Sequence, residues 1–166
     1  MRGGRTVEGE AATQVILSIF RANGVILAAG DRLAAAEDLT SARWQVLGAI
    51  AVAEHPLTIP QIARRMGVTR QSVHATVSRL VADGLLERLP NVDHRRSPVI
   101  DLTDAGRAAY TAIDELQIRW VNRLARGMLR ADLQTASRVL DELNRRLLPD
   151  AEASAEDSAL PAGAAR

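Results

Sequence analysis

Apolar residues in this chain recur with a helical period over most of its length, interrupted in the middle by a short extended stretch. Val15, Ile16, Ile19, Phe20, Asn23, Ile26 and Leu27 follow one another at threes and fours, which predicts a first helix over about 10–35, weakened by its glycines. Thr40, after Leu39, is placed to cap a second helix whose buried stripe is Trp44, Val46, Leu47, Ile50 and Ala51, with Pro56 ending it. In Thr58-Ile59-Pro60-Gln61 the threonine and glutamine have capping-box spacing and the proline sits in the first helical turn. A short third helix follows, with Ile62, Ala63 and Met66 inward and Gly67 as its stop. Thr69 opens a fourth helix, about 69–82, with Val73, Val77, Leu80 and Val81 inward.

The period then changes. Leu85–Leu89 and Ser97–Leu102 read as two short strands, and the polar, turn-rich 90–97 between them makes a two-stranded hairpin, or wing. Thr103 caps a fifth helix carrying Ala109, Ile113, Leu116, Trp120 and Leu124, with Met128 in phase and Gly127 as a breaker. A last helix carries Leu133, Ala136, Leu140, Leu143 and Leu147, ending before Pro149. The predicted fold is mainly α (α+β): a winged helix-turn-helix over 39–102, a long helix over 10–35 before it and two more over 103–148 after it. The long helices carry more apolar stripe than the small winged domain can cover, which predicts a dimerisation layer. Residues 1–9 read as a flexible terminus and 149–166 as a disordered acidic tail.

Composition sharpens this picture in three places. With 166 residues, 47% hydrophobic and 25% charged, the chain has the size and balance of one soluble domain. The formal net charge of +1 hides its distribution: residues 61–96 carry seven arginines against three acids, whereas the tail from 149 carries four acids and one arginine. The basic stripe therefore lies where DNA phosphates would run. Cysteine is absent, which excludes disulfides, thiolate metal sites and thiol-based sensing. All 21 basic residues are arginine, either a GC-rich codon bias or a use of the guanidinium fork. The apolar stretch 15–33 is interrupted by Arg21, Asn23, Gly24, Gly30, Asp31 and Arg32 and lacks a signal-peptide layout, so no membrane partner and a cytoplasmic location are expected.

The candidate chemistry sits on the fourth helix and the wing. One α-helix fits the major groove, and side chains near its start reach base edges. Arg70 can fork onto guanine and Gln71 onto adenine; His74 and Ser78 can read base or phosphate, and Ala75 leaves room or meets a thymine methyl. Thr69 and Ser72 suit phosphate. His94, Arg95 and Arg96 at the wing tip lie where a minor groove would be entered. The three histidines fall on different elements, so a metal site is not expected. No phosphate-cradling glycine loop, His-Glu-x-x-His or Gly-x-Ser-x-Gly is present, and neither an enzyme nor a cofactor is predicted. The competing reading is a winged helix used for protein–protein contact without DNA, which has no need for basic residues on both helix and wing.

The run Asp93-His94-Arg95-Arg96-Ser97, followed by Val99, Leu102-Thr103 and Gly106, resembles the wing signature of the MarR (multiple antibiotic resistance regulator) family. Leu39-Thr40, Trp44 and Leu47 on the second helix and Gly84-Leu85-Leu86 with Arg88 after the fourth are similar to it too. The resemblance, over about 12–148, implies a homodimeric transcriptional regulator, typically a repressor, on a palindromic operator, often released by a small aromatic or phenolic effector. By position it makes Arg95 the minor-groove wing arginine and Asp93 a wing-stabilising residue. It puts the effector where the first, second and fifth helices meet, near Trp44 and Tyr110. The chain departs from the family in carrying Gln61 where glutamate is common and Arg130 where a polar cap often opens the last helix.

Overall fold

The computed structural model describes residues 4–91 and 97–147. The chain divides into two compact units between Val121 and Asn122. Helix α1 spans Val7–Ala34 and runs into a 3-10 turn, Ala35–Glu37. Helices α2 (Ser41–Ala51), α3 (Ile59–Met66) and α4 (Arg70–Ala82) follow, then α5 (Asp104–Leu124) and α6 (Arg130–Leu147). Strands β1 (Leu57–Thr58), β2 (Leu86–Leu89) and β3 (Val99–Leu102) form an antiparallel sheet in the order β1-β3-β2.

The threonine caps form as the sequence predicts. Thr40 Oγ1 accepts from Arg43 N at 3.3 Å and Thr69 Oγ1 from Ser72 N at 3.2 Å, and Gln61 Oε1 accepts from Thr58 N at 2.8 Å. The first two satisfy a first-turn donor that the helix itself cannot, and the third satisfies the N–H of the capping residue. Val46, Leu47, Ile50, Leu57, Ile62, Val73, Val77, Leu80, Leu86, Ile100 and Ile113 make the centre of one core. That core is drawn from α2 to α5 and all three strands, so α4 is anchored on the side away from its polar face.

Two expectations need correction. The sheet has three strands rather than the two of a simple hairpin: Leu57 pairs with Ile100 and Thr58 with Val99, so what read only as a helix cap is also a short strand. The N-terminus enters its helix earlier than 10, because Thr6 Oγ1 accepts from Gly9 N at 3.0 Å and Glu8 and Glu10 complement the helix dipole. Of the segment read as flexible, residues 1–3 lie outside the described residues, as does the acidic tail over 149–166. Over Val7–Glu37 the chain is also long and apolar enough, by length and composition alone, to cross a membrane. Its scattered polar residues are too few to disqualify it on that measure.

Two glycines earn their positions through close approach rather than flexibility. A Cβ on Gly30 would lie 2.7 Å from Ser41 Oγ, and one on Gly106 only 2.0 Å from the carbonyl oxygen of Leu85. Gly30 therefore lets α1 pass tightly over the start of α2, where Ser41 N also donates to Asp31 Oδ1 at 2.7 Å. Gly106 lets α5 sit down on the exit from α4. There Thr103 donates its hydroxyl to Gly84 O at 2.7 Å and caps Gly106 N at 3.1 Å.

The long helices leave much apolar surface uncovered. On α1, Leu17, Phe20, Val25, Ile26 and Leu27 are exposed, Phe20 at 70%. In the second unit α6 has no buried residue; Leu133, Val139, Leu140 and Leu147 lie exposed along it. Its opposite side carries Glu142, held below the usual carboxylate range by hydrogen bonds from Arg145 and Arg146.

Candidate nucleic-acid interface

Helices α3 and α4 are joined by a three-residue turn. Gly67 adopts φ +65°, a left-handed conformation that an L side chain resists, and Val68 N then reaches Ala63 O at 3.1 Å. Thr69 follows in extended conformation and caps α4. The turn thus fixes where α4 begins and how it leaves α3, the geometry of a helix-turn-helix.

With Val73, Val77 and Leu80 buried and Val81 packed partly against the core, the first turns of α4 present their remaining side chains outward. Thr69, Arg70, Gln71, Ser72, His74 and Ala75 are all exposed. No acidic residue falls on that surface. The first turn leaves the N–H groups of Arg70 and Gln71 pointing outward at the positive end of the helix dipole, which favours an anion. Arg70 and His74 form no ion pair within the described residues, so their donors are available to a ligand. The face presents donors, acceptors and one small apolar group, the mixture that base edges in a major groove require.

Ser78 is placed differently from the others. It is half-buried, and its Oγ accepts from Arg88 Nη2 at 3.2 Å. A strand residue therefore braces α4 toward its far end. Sequence reasoning found Ser78 but not this partner, because the two lie on different elements ten positions apart, with the end of α4, a turn and the start of β2 between them. Arg43 is a second long-range contact it missed: its guanidinium pairs with Asp83 just past α4 and donates to Asp38 O at 3.5 Å, while its buried Nε has no partner. This ties the beginning of α2 to the end of α4.

At the wing, Asn91 Nδ2 donates to Ser97 O at 3.0 Å, closing the base of the loop. The wing residues Asp93, His94, Arg95 and Arg96 lie outside the described residues. Trp44 and Tyr110 are both half-buried against the core. Trp44 stands beside Gly30 of α1, and Tyr110 beside Gly48 of α2, whose added Cβ would come 3.3 Å from the ring. Burial first, and the charge of Asp114 second, raise the Tyr110 pKa above its ordinary value. A depression of about 520 Å³ opens nearby between α2 and α3, but Gln45, Val52, Arg65 and Met66 are among its lining and neither aromatic residue is. The described residues contain no cluster of three or more metal-ligating side chains.

Comparison with known proteins agrees with this geometry. The sequence model of the MarR family matches residues 37–97, from the turn before α2 to the end of the wing loop. An uncharacterized protein of Mycobacterium tuberculosis is 42% identical over 81% of this chain and 91% of its own length. The transcriptional activatory protein BadR of Rhodopseudomonas palustris is 27% identical over 66% of this chain and 64% of its own. Among solved structures, the organohalide-sensing transcriptional regulator RdhR-CbdbA1625, crystallised with 2,4-dichlorophenol, superposes with a TM-score of 0.73 at 22% identity, covering 90% of this chain and 89% of that one. At that identity the likeness is one of fold.

Proposed function

The chain belongs to the MarR family of transcription regulators, which are not enzymes, and from that premise we propose that it is a homodimeric, cytoplasmic, sequence-specific DNA-binding repressor. The observation that carries this is the outward face of α4: six consecutive or near-consecutive exposed side chains, rich in donors and free of acids, held rigidly by a core on the other side. In this reading α4 lies in the major groove, where Arg70 and Gln71 read bases and Thr69 and Ser72 meet phosphate. The wing, with His94, Arg95 and Arg96, enters the minor groove, and Asp93 holds its shape.

The dimer is supported by the uncovered apolar stripes of α1 and α6, which water would otherwise face. A membrane would also suit α1 by composition. Against that, the C-terminal end of α1 is committed to protein: Gly30 and Ala34 are buried and Asp31 holds the start of α2. A two-fold dimer calls for a palindromic operator with half-sites about one helical turn apart. A small aromatic effector is supported by the dichlorophenol seen in the similarly folded RdhR-CbdbA1625. Here it would part Trp44 and Tyr110 from the small residues they stand against, favouring one dimer spacing over the other.

Footprinting on the promoter region of the chain's own gene tests the reading. The expected result is a protected, two-fold symmetric site of two half-sites roughly 10 base pairs apart; protection that is absent or asymmetric overturns it. The activatory relative BadR supplies a second reading, in which the same binding raises transcription. A reporter driven by the footprinted promoter separates the two by the sign of the change when the gene is deleted.

A further inference from the structure

The base-reading assignment uses one side of α4 and leaves the adjacent side unexplained. Ser72, Thr76 and Arg79 follow at i, i+4 and i+7 on that side. Across from them stand Thr40 and Arg43 at the start of α2, and the two helices enclose a notch of about 400 Å³, with Ala42 and Ala75 as its apolar walls. No carboxylate lines it.

The hydrogen-bonding state of the lining groups narrows what could enter. Arg43 offers nothing further: its Nη groups are held by Asp83 and by the Asp38 carbonyl, and its unpartnered Nε is buried. Thr76 donates its hydroxyl to Ser72 O at 3.1 Å. Thr40 Oγ1 accepts from Arg43 N, which leaves its hydroxyl hydrogen free to donate outward. Ser72 makes no side-chain hydrogen bond, and Arg79 is exposed, its guanidinium in neither an ion pair nor a hydrogen bond among the described residues. The notch thus offers one uncommitted cation and two hydroxyl donors. A base edge presents donors as well as acceptors, whereas a phosphodiester oxygen is an anionic acceptor only, and it matches this set. Because the notch adjoins the Arg70–His74 face on the same helix, it meets the sugar–phosphate wall when that face meets the bases.

We propose that this notch seats a backbone phosphate of the bound DNA, gripped by Arg79 with the Thr40 and Ser72 hydroxyls, and so sets how deep and in what register α4 lies. The proposal rests on the reading of α4 as the recognition helix. Its test is a salt series of binding by the full chain to the footprinted operator fragment and to a scrambled fragment of equal length, for wild type, Arg79→Ala, Arg79→Lys and Ser72→Ala. Arg79 is exposed and alanine is a good helix former, so folding is retained. Loss of one phosphate contact per protomer, two per dimer, predicts that Arg79→Ala lowers the log–log salt slope by about two and weakens both fragments by the same factor, while Arg79→Lys keeps the slope. Ser72→Ala should weaken both fragments without changing the slope, since it removes no charge. Arg79 also complements the negative end of the α4 dipole, a role that would alter stability and leave the slope alone. An unchanged slope in Arg79→Ala, or a loss confined to the operator, overturns the phosphate seat. If wild type shows no salt-dependent binding at all, the recognition-helix reading fails, and the two failures are told apart by that one curve.

Discussion

Replacing Gly106 by alanine should unseat α5 from the winged unit. The added Cβ would stand 2.0 Å from the Leu85 carbonyl oxygen and 3.0 Å from its carbon, roughly 1.5 Å inside the ~3.5 Å at which non-bonded heavy atoms come to rest. The obstructing atoms are backbone, so no rotamer change relieves the clash. The start of α5 must lift, and three hydrogen bonds concentrated there go with it: Thr103 hydroxyl to Gly84 O at 2.7 Å, Thr103 N to Leu85 O at 3.2 Å, and Gly106 N to Thr103 Oγ1 at 3.1 Å. Overpacking of this kind costs about 1–3 kcal/mol and a lost cap about 1 kcal/mol more, so a loss of ~3 kcal/mol is expected. Urea unfolding at matched protomer concentration reads it as a fall in midpoint of about 1–3 M. A variant within about 0.5 kcal/mol of wild type would refute the close-approach argument.

Gly24 is the control, since a Cβ there meets nothing within 4 Å: Gly24→Ala should stabilise by about 0.5–1 kcal/mol in the same assay, and a loss would contradict its reading as a mere helix weakener. Tyr110 gives a pH signature. The chain has one tyrosine, no lysine and no cysteine, so Tyr110 dominates its titration near pH 10. The fold raises this pKa, so the stabilisation it brings is complete below about pH 10 and is lost as pH climbs through the folded value. Wild type should then lose stability with rising pH more steeply than Tyr110→Phe; superimposable profiles would contradict the burial. Arg70→Ala or Gln71→Ala should cost ~1–3 kcal/mol at particular base pairs of the operator, measured by binding to single-position variants, and a uniform loss across all positions would move these residues to the phosphate class. Sedimentation should find a dimer at micromolar concentration, and Phe20→Asp on α1 should shift it toward monomer; a wild-type monomer would remove the dimer from the account.

The elements that were legible in the sequence are those specified locally. Thr40, Thr69 and Thr103 each cap a helix within three residues of themselves, and the left-handed Gly67 sits one residue past the helix it stops. The outward face of α4 was equally plain, because the positions of Val73, Val77 and Leu80 determine what must point away. What escaped depends on partners far along the chain. Strand β1 is two residues long and exists only because Ile100 and Val99 lie alongside. Gly30 read as a weakness of α1, and its use becomes visible only when Ser41 is brought against it. The bracing of Ser78 by Arg88, the Arg43–Asp83 tie and the notch around Arg79 are likewise products of packing between elements, and no periodicity announces them.

The claim on which everything else depends is that this chain holds specific DNA through α4 and a basic wing. Its most direct test is equilibrium binding of the full chain to its own promoter fragment and to a scrambled one from about 50 to 200 mM salt. The account predicts affinity falling linearly on a log–log plot for both fragments, with the promoter bound more tightly throughout by a margin that salt changes little. Absence of binding, or one affinity for both fragments at every salt concentration, would contradict it.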